Sequence, residues 1–164
     1  MIKPWQRFQQ NYEKSCVKDG VWYYRLKDCP KDFNNPNPNI RFTPSNTCDY
    51  IAFSPALGIL FPTELKSFVG KSFSFGNMNE DHEDKMVAWE NEYANVHPCI
   101  MFEFRDLGES YLVPIGLYHD YKLCTDRKSI GIQTVRDIGV LVRSKQLKVN
   151  YRYFIQEAYE RMVA

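Results

Sequence analysis

The sequence predicts an α/β domain in which helices and strands alternate as one unit over residues 1–164. Its 164 residues are 44% hydrophobic and 15% aromatic, which suffices for one hydrophobic core but leaves little for two domains. Segments with apolar residues at helical spacing alternate with short β-branched and aromatic runs. Because no internal repeat or low-complexity linker divides these segments, we expect a single domain.

The first helix and the first strand are predicted near the N-terminus. Residues 4–18 open with a proline, which favours the start of a helix. Their apolar side chains recur every three or four positions, as on one face of an amphipathic helix: Trp5, Phe8, Tyr12 and Cys16. Gly20 is expected to end the helix. The β-branched and aromatic run "VWYYRL" at 21–26 predicts a strand. We expect its aromatic side chains in the core and on the sheet surface rather than as platforms for base stacking.

An irregular segment and a β-hairpin are predicted next. Residues 27–46 contain repeated Asn-Pro and Pro-Asn pairs, which favour turns, so we expect this segment to be mobile or to face a substrate. Two strands are expected over 48–54 and 58–67, joined as an antiparallel hairpin by the turn "SPALG". A third, short strand is expected at 72–75.

The rest of the chain is predicted to contain an acidic helix, two strands and three further helices. Residues 79–96 begin with an acidic turn and place Met86, Trp89 and Tyr93 on one stripe, which predicts a helix. The two strands are expected over 99–106 and 110–118, and the further helices near 119–125, 133–143 and 151–163.

The net charge of +1 gives no support by itself for a nucleic-acid partner, but the charges are segregated along the chain. Residues 1–31 hold seven Lys or Arg against three Asp or Glu, 121–164 hold nine against four, and 79–106 hold two against eight. This pattern fits a basic face suited to a phosphate backbone, and it equally fits charges that lie on ordinary solvated surfaces.

Cysteine usage and hydropathy exclude several classes of protein. No apolar run reaches the roughly 18 residues of a membrane span, and the N-terminal segment lacks the apolar stretch of a secretory signal. We therefore expect a cytoplasmic protein with no membrane partner. The five cysteines are odd in number and form no CxxC pair, which argues against a disulfide framework and against a zinc ribbon. We expect them to be reduced and mostly buried.

Three charged residues stand in the apolar hairpin segment: Asp49, Glu64 and Lys66. Alternate residues of a strand share a face, so Glu64 and Lys66 are expected to project together. An antiparallel hairpin would place Asp49 across from one of them. Two neighbouring carboxylates repel unless a divalent cation lies between them, and oxygen ligands suit Mg²⁺. A hydrated Mg²⁺ can activate water for attack on a phosphodiester, with an amine beside it to position that water.

The alternative for the same three residues is a structural salt bridge across two strands. The spacing D-x(n)-E-x-K does not by itself decide between the two.

The sequence "RFTPSNTCDYIAF…GILFPTELKS…SFSFGNM" resembles the RecU-type Holliday junction resolvases of Gram-positive bacteria and their phages, within the PD-(D/E)XK nuclease superfamily. The likeness extends over about residues 4–118 and includes "FQQNYEKS", "YYRLKD" and "NEDH". The resemblance implies a restriction-endonuclease-like domain, with a central mixed sheet flanked by helices.

The resemblance also implies roles for individual residues. Glu13 would be the acid of the first helix, supporting the metal or its water. Asp49 and Glu64 would be metal ligands, joined by the Leu65 carbonyl, and Lys66 would be the catalytic amine. The implied metal is Mg²⁺, with Mn²⁺ as a substitute.

The sequence departs from the family pattern at one position next to the implied site. Where the family has a His-Gln pair, this chain has Asp81 followed by His82, so His82 would be the polar side chain that reaches the site. The alternative is a structural role, in which His82 packs with Met86 and Trp89 on the apolar face of the helix.

Four basic residues are candidates for phosphate contacts. Arg25 and Lys27 alternate at the end of the first strand, and Arg41 and Lys71 flank the charged hairpin. A solvated strand edge is the alternative for the first two.

The function expected from the resemblance is Mg²⁺-dependent resolution of four-way DNA junctions by a homodimer, in the cytoplasm of a bacterial host if the gene is phage-encoded. Three alternatives stay open from the sequence. These are another structure-specific or restriction-like endonuclease, a catalytically silent DNA-binding module, and an interaction protein in which the charged residues form a salt bridge.

Overall fold

A six-stranded sheet with helices on both faces forms the centre of the computed structural model, which describes residues 1–27 and 46–164. The described elements, in chain order, are α1 (Pro4–Asp19), β1 (Trp22–Arg25), β2 (Tyr50–Ser54), β3 (Ile59–Phe68), β4 (Ser72–Ser74), a 3₁₀ turn (Phe75–Asn77), α2 (Glu80–Glu92), β5 (Cys99–Phe104), β6 (Glu109–Pro114), α3 (Ile115–Cys124), β7 (Ser129–Gly131), α4 (Ile132–Ile138), β8 (Val140–Leu141), β9 (Ser144–Leu147), β10 (Asn150–Tyr153) and α5 (Ile155–Val163).

The sheet is mixed, with the strand order β1-β2-β3-β5-β6-β8. Only β3 and β5 run parallel among these pairs, and the chain between them contains α2, as a parallel connection requires. The predicted hairpin is confirmed: β2 and β3 are antiparallel, with Tyr50 opposite Thr63 and Ser54 opposite Ile59. The predicted fold class, a central mixed sheet flanked by helices, is also confirmed.

Each face of the sheet has its own hydrophobic core. On one face, α1 and α5 pack on β2, β3 and β6, with Phe8, Tyr12, Phe61 and Tyr159 buried. On the other face, α2 and α3 cover β5 and β6, with Met86, Phe102 and Tyr118 buried. Strand β5 is buried on both faces, which explains its continuous apolar sequence.

A buried cluster of hydroxyl groups fixes α1 and α5 against the strand that carries Glu64. The hydroxyls of Tyr12 and Tyr159 are 2.8 Å apart, and the Tyr159 hydroxyl lies 3.1 Å from Oγ1 of Thr63. Burial raises the pKa values of both tyrosines well above the usual range, so both stay protonated as hydrogen-bond donors. The contacts set the position of α1 beside β3.

The predicted boundaries fail mainly in the C-terminal third. The predicted strand 110–118 ends at Pro114, and α3 begins at Ile115 rather than near 119. Ile115 and Tyr118 are buried three residues apart, which is helical spacing inside a run that also alternates like a strand. The predicted helix 151–163 begins only at Ile155, because residues up to Tyr153 pair with β9 in a hairpin.

The cysteines agree with the expectation that most of them are buried. Within the described ranges, Cys16, Cys48 and Cys99 are buried and Cys124 is exposed, and none forms a disulfide. None of the helices that the structure describes is both long and apolar enough to cross a membrane.

The start of α2 is anchored by one buried carboxylate. Asn79 caps the helix by accepting a hydrogen bond from the backbone N–H of His82. Glu83, buried in the first turn, lies 2.7 Å from Nδ1 of His119 and 2.9 Å from Nζ of Lys122 on α3. This network joins α2 to α3 on the face opposite α1.

We expect Glu83→Ala to lower the free energy of unfolding by about 2–3 kcal/mol, because it removes the buried partner of two cationic or polar groups. Urea denaturation measures this loss. The matched control is Glu80→Ala, whose side chain is 81% exposed and also pairs with Lys122; it should cost less than about 1 kcal/mol. Equal losses for the two variants would show that burial of Glu83 does not set its contribution.

Candidate active site

The structure brings the three predicted charged residues together. Continuing the β2–β3 register by one residue places Asp49 beside Glu64. Oδ2 of Asp49 accepts a hydrogen bond of 2.8 Å from the backbone N–H of Leu65. Oε1 of Glu64 lies 2.8 Å from Nζ of Lys66, which confirms that these two side chains project from the same face of β3.

These residues lie in a cleft of about 710 Å³. Glu64 is only 8% exposed, whereas Lys66 is half-buried. The cleft is bordered by the N-terminal half of α1, by β1 to β3, and by β4 and the 3₁₀ turn. Its lining consists of Trp5, Phe8, Gln9, Arg25, Leu26, Lys27, Asp49, Glu64, Leu65, Lys66, Ser67, Phe68, Phe73 and Asn77. The cleft therefore offers carboxylates and cations at one place.

The two carboxylates affect the neighbouring thiol. Burial, followed by the negative charges of Glu64 and Asp49, raises the pKa of Cys48 to about 12. Cys48 therefore stays a neutral thiol near pH 7, and it is not among the residues that line the cleft. The polar groups that line the cleft are oxygen and nitrogen groups.

The oxygen groups of the cleft match a hard cation. Within residues 1–27 and 46–164, no cluster of three or more His, Cys, Asp or Glu side chains is arranged to hold a metal. In the cleft, a divalent cation would have the Asp49 and Glu64 carboxylates and backbone carbonyl oxygen as protein ligands. Mg²⁺ fits such a set, because it binds one or two carboxylates and keeps several waters.

The acid expected on the first helix lies at the border of the site. Glu13 is half-buried, and its Oε1 accepts a hydrogen bond of 2.7 Å from the hydroxyl of Tyr50, the residue after Asp49. Burial, followed by this bond to Glu13, raises the pKa of Tyr50. Gln9, one helical turn earlier on the same face of α1, lines the cleft, and Glu13 is not among the lining residues. Gln9 was not predicted, although it is four residues before Glu13 and so shares a helix face with it.

The basic candidates fall into three groups. Arg25 and Lys27 are exposed and line the cleft. Lys71 is exposed in the turn between β3 and β4 and is not among the lining residues. Arg41 lies outside the described residues.

His82 is half-buried on α2 and does not line the cleft. Asn77, in the 3₁₀ turn before α2, lines it instead, as does Ser67, which directly follows the E-x-K sequence. The functional role of His82 stays a prediction. Sequence reasoning gave Asn77 no role, although Asn77 belongs to the segment "SFSFGNM" that is part of the family resemblance.

The bond between Asp49 and Leu65 yields a stability prediction. We expect Asp49→Ala to cost about 1–3 kcal/mol of unfolding free energy, because it leaves the Leu65 N–H without its acceptor. Asp49→Asn keeps a side-chain oxygen there and should cost clearly less. Thermal and urea unfolding of both variants measures the difference. If both lose the same stability, the hydrogen bond does not organise the cleft.

Comparisons with known proteins found a curated relative and solved structures of similar fold. No protein-family model matches it. The chain is 32% identical over 164 residues to the SPbeta prophage-derived uncharacterized protein YotM of Bacillus subtilis (strain 168), covering 92% of this chain and 82% of that protein. The fold is similar to that of Hjc, a Holliday junction resolvase from the archaeal hyperthermophile Archaeoglobus fulgidus, with a TM-score of 0.54 and 12% identity, over 81% of this chain and 92% of that one. At this identity the likeness shows a shared fold.

Proposed function

The chain belongs to the family of the SPbeta prophage-derived protein YotM. From the geometry of the cleft, we propose that residues 1–164 form a single metal-dependent endonuclease domain that acts on DNA. One observation carries the proposal. Asp49, Glu64 and Lys66 meet in one cleft that Arg25 and Lys27 also line. Carboxylates, an amine and flanking cations are the groups that phosphodiester hydrolysis uses.

Asp49 and Glu64 would hold Mg²⁺, together with the Leu65 carbonyl, and Mn²⁺ would serve in its place. When bound, the cation would supply a water of lowered pKa and would neutralise charge on the phosphate. The Leu65 N–H holds one oxygen of Asp49 and so fixes the direction of its carboxylate. Glu13, held by Tyr50, would support the same water from α1.

Lys66 would act on the phosphate side of the site. Its ammonium is held at Glu64 and carries three N–H donors, so it can donate to the attacking water or to a phosphate oxygen. There it would stabilise the negative charge that develops during cleavage. Arg25, Lys27 and Lys71 would position the DNA backbone, as would Arg41, and His82 would contribute from the start of α2.

The substrate we propose is branched DNA, with the four-way junction first. Two independent likenesses support it: the resemblance of the sequence motifs to the RecU-type resolvases and the fold shared with the resolvase Hjc. Resolving a four-way junction needs two symmetric incisions, so we propose a twofold homodimer.

The substrate prediction is tested with a mobile four-way junction, a linear duplex and a flap, each with Mg²⁺ or with EDTA. We expect paired, symmetric nicks in the junction with Mg²⁺ and none with EDTA. Asp49→Asn and Glu64→Gln should abolish cutting while leaving DNA binding intact or tighter, because each removes a negative charge that faces phosphate.

The matched control is Asp137→Asn, which makes the same change on an exposed residue of α4, a helix that packs on β6 at the other end of the sheet. It should cut at the wild-type rate. Equal cutting of all three substrates would favour another structure-specific endonuclease. Binding without cutting would indicate a silent DNA-binding module, and normal cutting by Asp49→Asn would refute the catalytic assignment.

Metal binding can be tested without DNA, by measuring how Mg²⁺ changes the stability of the protein. Mg²⁺ at ten times its Kd should stabilise the wild type by about 1.4 kcal/mol, since a ligand of the folded state adds RT ln(1 + [L]/Kd). That corresponds to a rise of about 3–5 °C in Tm for a domain of this size. Asp49→Asn and Glu64→Gln should lose the shift, and Asp137→Asn should keep it. A wild-type shift that persists in Asp49→Asn would place the cation elsewhere.

A further inference from the structure

Two large aromatic side chains are exposed side by side on β1. Trp22 and Tyr24 are 54% and 59% exposed, and their rings are nearly parallel, with an interplanar angle of 16° and centroids 6.5 Å apart. Tyr23, between them, points to the other face and packs on Tyr50. The pair therefore adds nothing to the core beneath α1. It presents two flat apolar surfaces to solvent.

The aromatic pair lies on the same face of the sheet as the candidate active site. The register places Trp22 opposite Phe53, and Phe53 opposite Leu60. It likewise aligns Tyr24 with Ile51 and Pro62. Directly opposed residues share a face, and Glu64 is two residues beyond Pro62 on β3. Trp22, Tyr24, Glu64 and Lys66 thus all project from one side of the sheet.

The spacing suits a nucleic-acid strand that crosses the cleft. Tyr24 lies two strands away from Pro62, and Glu64 is two residues further along β3. At the usual strand spacing and rise per residue, the backbone positions of Tyr24 and Glu64 are about 12 Å apart. That is the length of roughly three to four stacked nucleotides at 3.4 Å each. A strand whose phosphate lies at the carboxylates can therefore present neighbouring bases to the aromatic pair.

A basic depression adjoins both Tyr24 and the cleft. Its volume is about 510 Å³, and its lining consists of Tyr23, Tyr24, Arg25, Leu26, Lys27 and Asn46. Arg25, Leu26 and Lys27 also line the cleft, so the depression and the cleft share one wall. Among the described residues, no carboxylate lines the depression. Two cations without a carboxylate match a phosphate backbone.

We propose that Trp22 and Tyr24 form a stacking platform for unpaired nucleobases of the DNA substrate, beside the cleft. The proposal rests on the proposed nuclease function and extends it to the class of substrate, DNA with unpaired bases near the incision. Exposed aromatic rings along a basic groove are the means by which proteins bind unpaired bases, since every base has a face to stack. A twofold contact between copies is disfavoured here, because it would bring Arg25 and Lys27 close to the same cations of the partner.

The test measures binding in EDTA, where no cutting is expected, with three probes: oligothymidine, a duplex with a thymine bulge, and a fully paired duplex. The double variant Trp22→Ala/Tyr24→Ala should weaken binding of the first two probes by about ten-fold or more. Its affinity for the paired duplex should change less than about two-fold. Trp22→Phe/Tyr24→Phe keeps the ring faces and should retain most of the affinity. Tyr93→Ala, at an exposed tyrosine beyond α2, is the matched control and should bind all three probes like the wild type.

The binding results distinguish failure of the stacking platform from failure of the nuclease proposal. If the wild type binds the bulged duplex and the double alanine variant binds it equally well, the platform is refuted while the nuclease proposal stands. If the wild type binds none of the probes and cuts no junction, both proposals fail. A double alanine variant that changes from dimer to monomer in sedimentation, with DNA affinity unchanged, would show that the pair contacts a second copy instead. The variant should lose only a little thermal stability, because more than half of each side chain is exposed.

Discussion

The antiparallel register of β2 and β3 is the constraint on which the candidate site depends. It places Asp49 beside Glu64 although 14 residues separate them in the chain, and it aligns the Leu65 N–H with Oδ2 of Asp49. A shift of one residue would turn Glu64 and Lys66 to the face covered by α1 and α5. The hydroxyl cluster of Tyr12, Thr63 and Tyr159 lies on that covered face and opposes such a shift.

The charges in this hairpin are costly unless they are compensated, because Glu64 is almost fully buried. The structure compensates them locally: Lys66 pairs with Glu64, and a backbone N–H holds Asp49. The same contacts serve the proposed chemistry, since they fix a carboxylate pair with oxygen atoms that face a cleft. A structural salt bridge would explain Glu64 and Lys66, but it would not explain why Arg25 and Lys27 line the same space.

Sequence patterns predicted the parts of the fold that follow from local periodicity. The first helix, the hairpin and the shared face of Glu64 and Lys66 are confirmed, because each depends on residues close in the chain. Features set by tertiary contacts were not accessible in this way. Gln9 rather than Glu13 lines the cleft, because the packing of α1 on the sheet decides which helical turn reaches it. The β9–β10 hairpin forms where the start of a helix was expected. Trp22 and Tyr24 are exposed because α2 and α3 cover β5 and β6 but leave β1 open on that face of the sheet.

The proposed function requires that Asp49 and Glu64 together hold a divalent cation. Anomalous diffraction from crystals grown with Mn²⁺ tests it most directly, because the signal locates the ion without reference to activity. We expect one strong peak within coordination distance of both carboxylates, at roughly 2.0–2.1 Å from their oxygens, as in a Mg²⁺ site. A structure with Mn²⁺ bound elsewhere, and with Glu64 and Lys66 still paired beside a cation-free Asp49, would contradict it.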